Sequence, residues 1–369
     1  MYVLGKEAGM NNYKYMAIVD WVKDYIASEG LQPNDRFLTE KQLCEIHGVS
    51  RQTVRQAMMH LEQENVISRV RGNGTFICER SAVQQTVPSQ KSVGVLSTYF
   101  SDYIFPHIMT GIESVLGDAG YTMQLSITHN QVMEEMKALE SMLSSGVCGL
   151  IVEPSKSALP NPNVSVYKEL HESGVPLVFF NAKYSWADYP CVAMDDKAAG
   201  RIVTDYLVSC GHKNICGMFV LDDIQGHLRY SGYMESCLAH NVRFSERNVF
   251  WFATSDRNSI FDYAKGKLLD LLKRSTAVVC YNDKLAVNLL KFCKENGIRV
   301  PDDLSIVGID DSRYASICEV PLTTVHHPHS ELGKAAARKL ISMINHHTAE
   351  QRDELIVPEL IVRSSVAKL

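Results

Sequence analysis

Polar and aromatic residues stand directly after short apolar runs in the C-terminal part of the sequence. A chain that alternates strands and helices places its ligand contacts at such points. "TYFSDYIFP", with Asp102 and Tyr103, follows "VGVLS". Glu153 follows "CGLIV", Asp195 follows "VAM", and Arg229 lies in "LDDIQGHLRYSG" after "MFV". Asn282 follows "VVCY" and Asp310 follows "IVGI". Carboxylates, an amide, an arginine and aromatic faces are what a neutral sugar requires, because ionised groups make short directional bonds to hydroxyls. Each residue also has a plainer role. Asp195 and Asn282 precede helices and can cap them, the aromatics can be core, and Arg229 can be a surface charge. Asp195, Asp310 and Glu153 include a pair suited to glycoside hydrolysis. No nucleophile motif accompanies them, so binding without catalysis is expected and no enzyme is predicted.

A second chemistry lies near the start, in "GVSRQTVRQAMMHLEQENVISRVRGNGTFI". Val54, Ala57, Met58 and Leu61 recur at i, i+3, i+4 and i+7 and must face a core. The other face carries Arg51, Gln52, Thr53, Arg55 and Gln56, with no carboxylate before Glu62. Arg can bind guanine edges or phosphate, and Gln can read adenine. Ser50 can cap this helix and help hold a phosphate at its N-terminus. Then come two β-prone runs around "GNG", whose glycines permit a tight hairpin, with Arg69 and Arg71 beside its tip. The order is helix, tight turn, basic helix, hairpin, which describes a winged helix-turn-helix.

The elements needed to hold these groups are legible. Tyr15, Val19, Val22 and Ile26 share one helical face. "LTEKQLCEIHG" opens with a capping box of Thr39 and Gln42, spanned by Leu38 and Leu43, and Gly48 suits its left-handed close. Residues 1–11 precede any pattern and are expected to be flexible. Residues 12–80 form the DNA-binding head, and the polar stretch 81–91 reads as a linker. From residue 92 to 369, apolar runs alternate with helical stretches in two series, which predicts two lobes of doubly wound α/β architecture.

Composition narrows the remaining classes. Net charge is −5. By residue 80 the chain carries ten Lys/Arg against ten Asp/Glu, so a DNA signal must lie in where the cations sit. The ten cysteines form no Cys-x-x-Cys pair, which argues against zinc and redox motifs and for a reducing cytoplasm. The pairs His326–His327 and His346–His347 lack cysteine or carboxylate at ligand spacing, so neither metal nor cofactor is expected. No apolar run is long enough to span a membrane, and the start lacks the pattern of a secretory signal.

Residues 12–80, above all "FLTEKQLCEIHGVSRQTVRQAMMHLEQENVISRVRGNGTFI", resemble the DNA-binding domain of the GntR family of bacterial transcription factors. Leu38–Thr39 stands where that family commonly has Pro-Ser or Pro-Thr. The resemblance implies DNA contacts from Lys41, Ser50, Arg51, Gln52, Thr53 and Arg55, with Arg71 and Gly72 at the wing and Lys14 at a phosphate. Residues 92–369, above all "CYNDKLAVNLLKFCKENGIRVPDDLSIVGIDDSRYASICEVPLTTVHHPHSELGKAA", resemble the effector-binding domain of the lactose/galactose repressor family, which shares its fold with periplasmic sugar-binding proteins. That implies sugar contacts from Asp195, Arg229, Asn282 and Asp310, with His329 at a further contact position. The usual head of that family is a different one. The pairing found here, with "STYFSDYIFPHIMTGIES", "GLIVEPSKSALPNPN" and "DDIQGHLRYSGY", is similar to the arabinose-responsive repressors of Gram-positive bacteria. This likeness implies a homodimer on double-stranded, palindromic operator DNA that L-arabinose releases by closing the lobes. Spacing alone implies only a small sugar, and it leaves open a ligand that strengthens DNA binding.

Overall fold

The structure, a computed structural model, describes residues 15, 18–19, 21–23, 25–26, 28–63, 66–70, 74–78, 91–100, 103–242, 245–346 and 352–369. Lys14, Arg71, Gly72 and Asp102 lie outside the described residues, as do residues 1–11 and 81–90. Two compact units divide between Ser89 and Gln90.

In the first unit, helical residues between 15 and 28 (α1) precede α2 (Glu40–His47), α3 (Arg51–Gln63) and a hairpin of β1 (Ile67–Val70) and β2 (Gly74–Ile77). Val54, Ala57, Met58 and Leu61 are fully buried against Ile18, Val19, Val22 and Leu43. Each large aliphatic side chain removed from water contributes roughly 1.5–3 kcal/mol. The expected capping box is present at Thr39. Its backbone N–H donates to Gln42 Oε1 at 2.8 Å, and Gln42 N–H donates to Thr39 Oγ1 at 3.3 Å. Gly48 closes α2 at φ 63°. Ser50 Oγ accepts from Thr53 N–H at 3.3 Å at the start of α3. The hairpin pairs Ile67 with Ile77 and Val70 with Gly74.

The second unit has two lobes. The first contains β3 (Lys91–Ser97), α4 (Phe105–Asp118), β4 (Tyr121–Ile127), α5 (Val132–Ser144), β5 (Leu150–Val152), α6 (Val164–Glu172), β6 (Leu177–Phe180) and β7 (Cys191–Met194). The second contains α7 (Asp196–Ser209), β8 (Ile215–Val220), α8 (Ile224–Ala239), β9 (Val249–Phe252), α9 (Ile260–Tyr263), α10 (Lys265–Lys273), β10 (Ala277–Cys280), α11 (Asp283–Glu295), β11 (Ser305–Val307), α12 (Arg313–Ile317) and β12 (Thr324–His326). The chain then returns to the first lobe with α13 (His329–His346) and β13 (Glu354–Ile356), and ends in the second with β14 (Glu359–Ile361). The lobe sheets run β13-β7-β6-β5-β3-β4 and β11-β10-β8-β9, parallel throughout. β12 and β14 form a separate antiparallel pair. Strand β3 opens at Lys91, one residue earlier than the linker expected there allows.

Helices cover both faces of each sheet, which is why the strands read as continuous apolar runs rather than alternating ones. Val93, Val95 and Ile151 pack toward one side and Leu96, Leu150 and Val152 toward the other, all fully buried. In the second lobe Cys216, Met218 and Val278 face α10 and α11, and Ile215, Phe219 and Val279 face α7 and α8. Helices α7 and α8 approach closely at two glycines. A Cβ on Gly200 would lie 2.0 Å from the Arg229 carbonyl oxygen, and one on Gly232 would lie 1.9 Å from that of Lys197. Among the described residues, no helix is long and apolar enough to cross a membrane.

Candidate functional sites

The C-terminal ends of the strands in the two lobes face one cavity. Tyr103, Glu153, Arg229, Asn282 and Asp310, all expected from their strand-end positions, line it together. Glu153 continues the β5 ladder, its N–H bonded to Leu96 O at 2.9 Å. Its carboxylate accepts from Ser97 Oγ (3.0 Å), Thr98 N–H (2.7 Å), Thr98 Oγ1 (2.6 Å) and Asn181 Nδ2 (2.7 Å). Burial pushes its pKa up, and these donors pull it back. The oxygens are thereby fixed in direction, a condition for reading a hydroxyl.

Arg229, on α8, is the largest fully buried side chain described. Its Nε lies 2.7 Å from Asp196 Oδ1, its Nη2 3.4 Å from Asp310 Oδ1, and its Nη1 donates to the Tyr281 carbonyl at 2.7 Å. The guanidinium also stands 4.8 Å from the centre of the Tyr281 ring. Burial opposes its charge, but Asp196 and Asp310 more than offset that, so its pKa goes up. Burial raises Asp310 as well, against the pull of Arg229 and Tyr103. Tyr103 Oη donates to Asp310 Oδ2 at 2.7 Å, joining one lobe to the other. Asp310 sits at φ 113°, a strained backbone for any residue but glycine. Nearby Asp283 is fully buried, bound by Ser312 and Thr324, and burial beside Asp310 pushes it up to about 8.

Two expected residues have other places. Asp195 is the N-cap of α7, accepting from Ala198 N–H at 2.9 Å, and is absent from the cavity lining. The next residue, Asp196, turns inward to Arg229, because successive positions at a helix start point about 100° apart. His329 begins α13 and stacks on His327 at 4.9 Å, and it is His327 that lines the cavity. Neither ring nitrogen of His327 has a hydrogen-bond partner among the described residues, and burial holds its pKa well below the usual imidazole value. Asn282 caps α11, its Oδ1 accepting from Leu285 N–H at 3.0 Å, and it also lines the cavity.

The sequence reasoning missed several lining residues, among them Tyr99, Asn181, Asp223, Arg257 and Tyr281. Asn181 follows β6 directly, so the strand-end rule that found Glu153 applies to it equally. Arg257 gives no such signal. It leaves a short 3-10 turn and lies 4.4 Å over the Tyr99 ring of the opposite lobe.

On the head, Lys41, Arg51, Gln52 and Arg55 are exposed, and Ser50 is exposed at the helix start. The first turn of α3 holds no acidic residue, so its free N–H groups keep their positive end. Thr53 departs from the outward position expected of it: it is buried, its hydroxyl 2.9 Å from Ser50 Oγ. The i+3 spacing that lets Ser50 cap the helix also turns Thr53 beneath it. Arg69, opposite Thr75 near the tip end of the hairpin, is held by Glu62 at 2.5 Å and Glu40 at 3.3 Å. Among the described residues, no cluster of three or more His, Cys, Asp or Glu suits a metal.

A winged helix and a two-lobed domain enclosing a polar cavity define a ligand-responsive transcription regulator. Residues 14–77 match the bacterial regulatory proteins of the gntR family, and residues 204–366 match the periplasmic binding protein-like domain. The arabinose metabolism transcriptional repressor of Geobacillus stearothermophilus is 38% identical, over 96% of this chain and 98% of that protein. That of Halalkalibacterium halodurans is 36% identical, over 96% and 97%. The transcription regulator CcpA of Lactococcus lactis superposes with a TM-score of 0.67 at 27% identity, over 75% of this chain and 99% of that one. The chain belongs to the family of arabinose metabolism transcriptional repressors.

Proposed function

We propose that the cavity takes L-arabinose, and that its occupancy releases the winged helix from operator DNA. The observation that carries this reading is a cavity formed by both lobes and lined by Arg229, Asp310, Tyr103 and Glu153, with buried Asp196 holding Arg229 from behind. Arg229 is already held between two carboxylates, which leaves it no free charge for an anion, and fixed acceptors reject ligands that lack a hydroxyl. The names of the relatives supply the particular sugar. On DNA, Gln52 and Arg55 read base edges in the major groove, and Lys41, Ser50, Arg51, Lys14 and the wing residues Arg71 and Gly72 hold the backbone. The protein acts in the cytoplasm as a homodimer, so that two heads meet two half-sites one helical turn or a multiple apart. Sugar binding and DNA binding then oppose each other through one coupling free energy of about 1–3 kcal/mol.

The test is titration calorimetry of the whole protein with L-arabinose, D-galactose, D-xylose and D-ribose, followed by operator affinity with and without the sugar that binds. Selective L-arabinose binding that weakens operator affinity roughly 5–150-fold is expected. Tighter operator binding in its presence, or preference for another sugar, would overturn the reading.

A further inference from the structure

Glu135 on α5 is fully buried, away from the cavity lining, and its carboxylate gathers donors from the segment that follows β5. Ser155 N–H reaches Oε2 at 2.6 Å, Asn161 Nδ2 reaches Oε1 at 3.1 Å, and Asn163 Nδ2 reaches Oε1 at 3.4 Å. Tyr167 Oη donates at 3.1 Å and Tyr184 Oη at 2.9 Å. A buried carboxylate is costly unless it is fully hydrogen-bonded, so this set fixes the path of residues 155–163. The same segment begins with Glu153 and continues to Ser157, both of which line the cavity, and Ser157 touches the other lobe. Ser157 Oγ donates to Asp223 Oδ1 at 2.8 Å and accepts from Ile224 N–H at 3.0 Å, at the start of α8. Ala158 N–H adds a long bond to Asp222 O at 3.4 Å. Helix α8 carries Arg229.

We propose that Glu135 is a positioning residue for the effector response: by anchoring residues 155–163 it holds Ser157 at the start of α8, one of the contacts that keep the lobes together over a bound sugar. The proposal rests on the sugar-cavity reading above. Glu135 touches neither the cavity nor the second lobe and acts only through this segment. Its neutral isostere keeps the volume but replaces one accepting oxygen with an NH2 group, which loosens the segment without emptying the site.

Glu135→Gln, Ser157→Ala and the double variant of the whole protein test this with two readouts. Without sugar, hydrogen exchange at the Ile224 amide should speed up at least tenfold in each variant, while β10 amides stay unchanged. With sugar, the L-arabinose concentration that releases half the operator should rise about tenfold in each, comparable to losing one hydrogen bond to a charged group. Sugar-free operator affinity should stay within twofold. The double variant should match Glu135→Gln alone, because both changes cut one chain of contacts. Unchanged Ile224 exchange in Glu135→Gln, or additive effects in the double variant, would overturn the proposal. Should Glu135→Gln fail to fold, Tyr167→Phe removes one donor only. It must then shift both readouts in the same direction, and no shift refutes the proposal. If the parent protein itself ignores L-arabinose, the sugar reading has failed, and the exchange measurement still decides the role of Glu135.

Discussion

Gly200→Ala adds one methyl where α7 and α8 meet. Its Cβ would lie 2.0 Å from the Arg229 carbonyl oxygen, whereas real Cβ atoms stay at least 3.0 Å from such atoms. Both sides of the contact are helix backbone, so the helices must part by about 1 Å. Asp196 opens α7 and Arg229 lies on α8, with 2.7 Å between their bonded atoms. Parting them takes that bond toward ~3.7 Å, beyond hydrogen-bond range. Overpacking costs about 1–3 kcal/mol, and the weakened charged hydrogen bond adds about 1–2 kcal/mol. At roughly 2–4 °C per kcal/mol for a unit of this size, Tm should fall by roughly 4–20 °C. Scanning calorimetry of the whole protein reads the loss, and an L-arabinose titration should show affinity down more than tenfold. Gly266→Ala is the control. It lies in α10 with nothing within 4 Å of the added carbon, so alanine there should stabilise by about 0.5–1 kcal/mol. If Gly200→Ala melts with the parent and binds sugar as tightly, the α7–α8 contact does not set Arg229, and the reasoning fails.

Arg55→Ala should lower operator affinity by about 1–3 kcal/mol and leave the calorimetric sugar titration unchanged. Loss of both activities would show that α3 serves the fold rather than DNA. Burial, with His326 and His107 nearby, holds His329 at about 4, against 6.5 for the free side chain. The fold therefore favours the neutral ring. This contribution to stability is complete above pH 6.5 and is lost as pH falls from 6.5 toward 4, up to about 3 kcal/mol. His329→Gln should flatten that acid limb in urea titrations run at successive pH values, and an unchanged slope would assign the acid loss to other groups.

Much of the fold was legible because its signals are local. The Val54–Leu61 stripe, the Thr39–Gln42 box, Gly48 and the strand–helix alternation each rest on neighbours within a turn or two. The cavity was legible where strand ends alone fix position, as at Glu153, Asn282 and Asp310. It was lost where one residue decides between two directions. Asp195 and Asp196 have the same side chain, yet only the register of α7 sends one to the cap and the other to Arg229. His327 and His329 exchange places for the same reason at the entry to α13. Thr53 read as exposed because helical spacing is blind to a hydroxyl bonding back to its own cap. Arg257 answers to Tyr99, a partner in another lobe, and no pattern within one segment contains that pairing.

The strand order also sets a schedule for synthesis. β13 completes the first lobe by pairing Glu354 with Val192, yet the whole second lobe lies between them in the chain. At about 5–20 residues per second on the ribosome, the β7 edge waits roughly 8–30 s for its partner. Until then, α4 and the sheet beneath it also lack the cover of α13, leaving Ile108, Ile112 and Val178 without the neighbours that later bury them. The head, finished by Ile77, has no such wait. A nascent chain thus carries a completed head well before the lobe that follows it in the chain can close, and for that interval the β7 edge is open to mispairing.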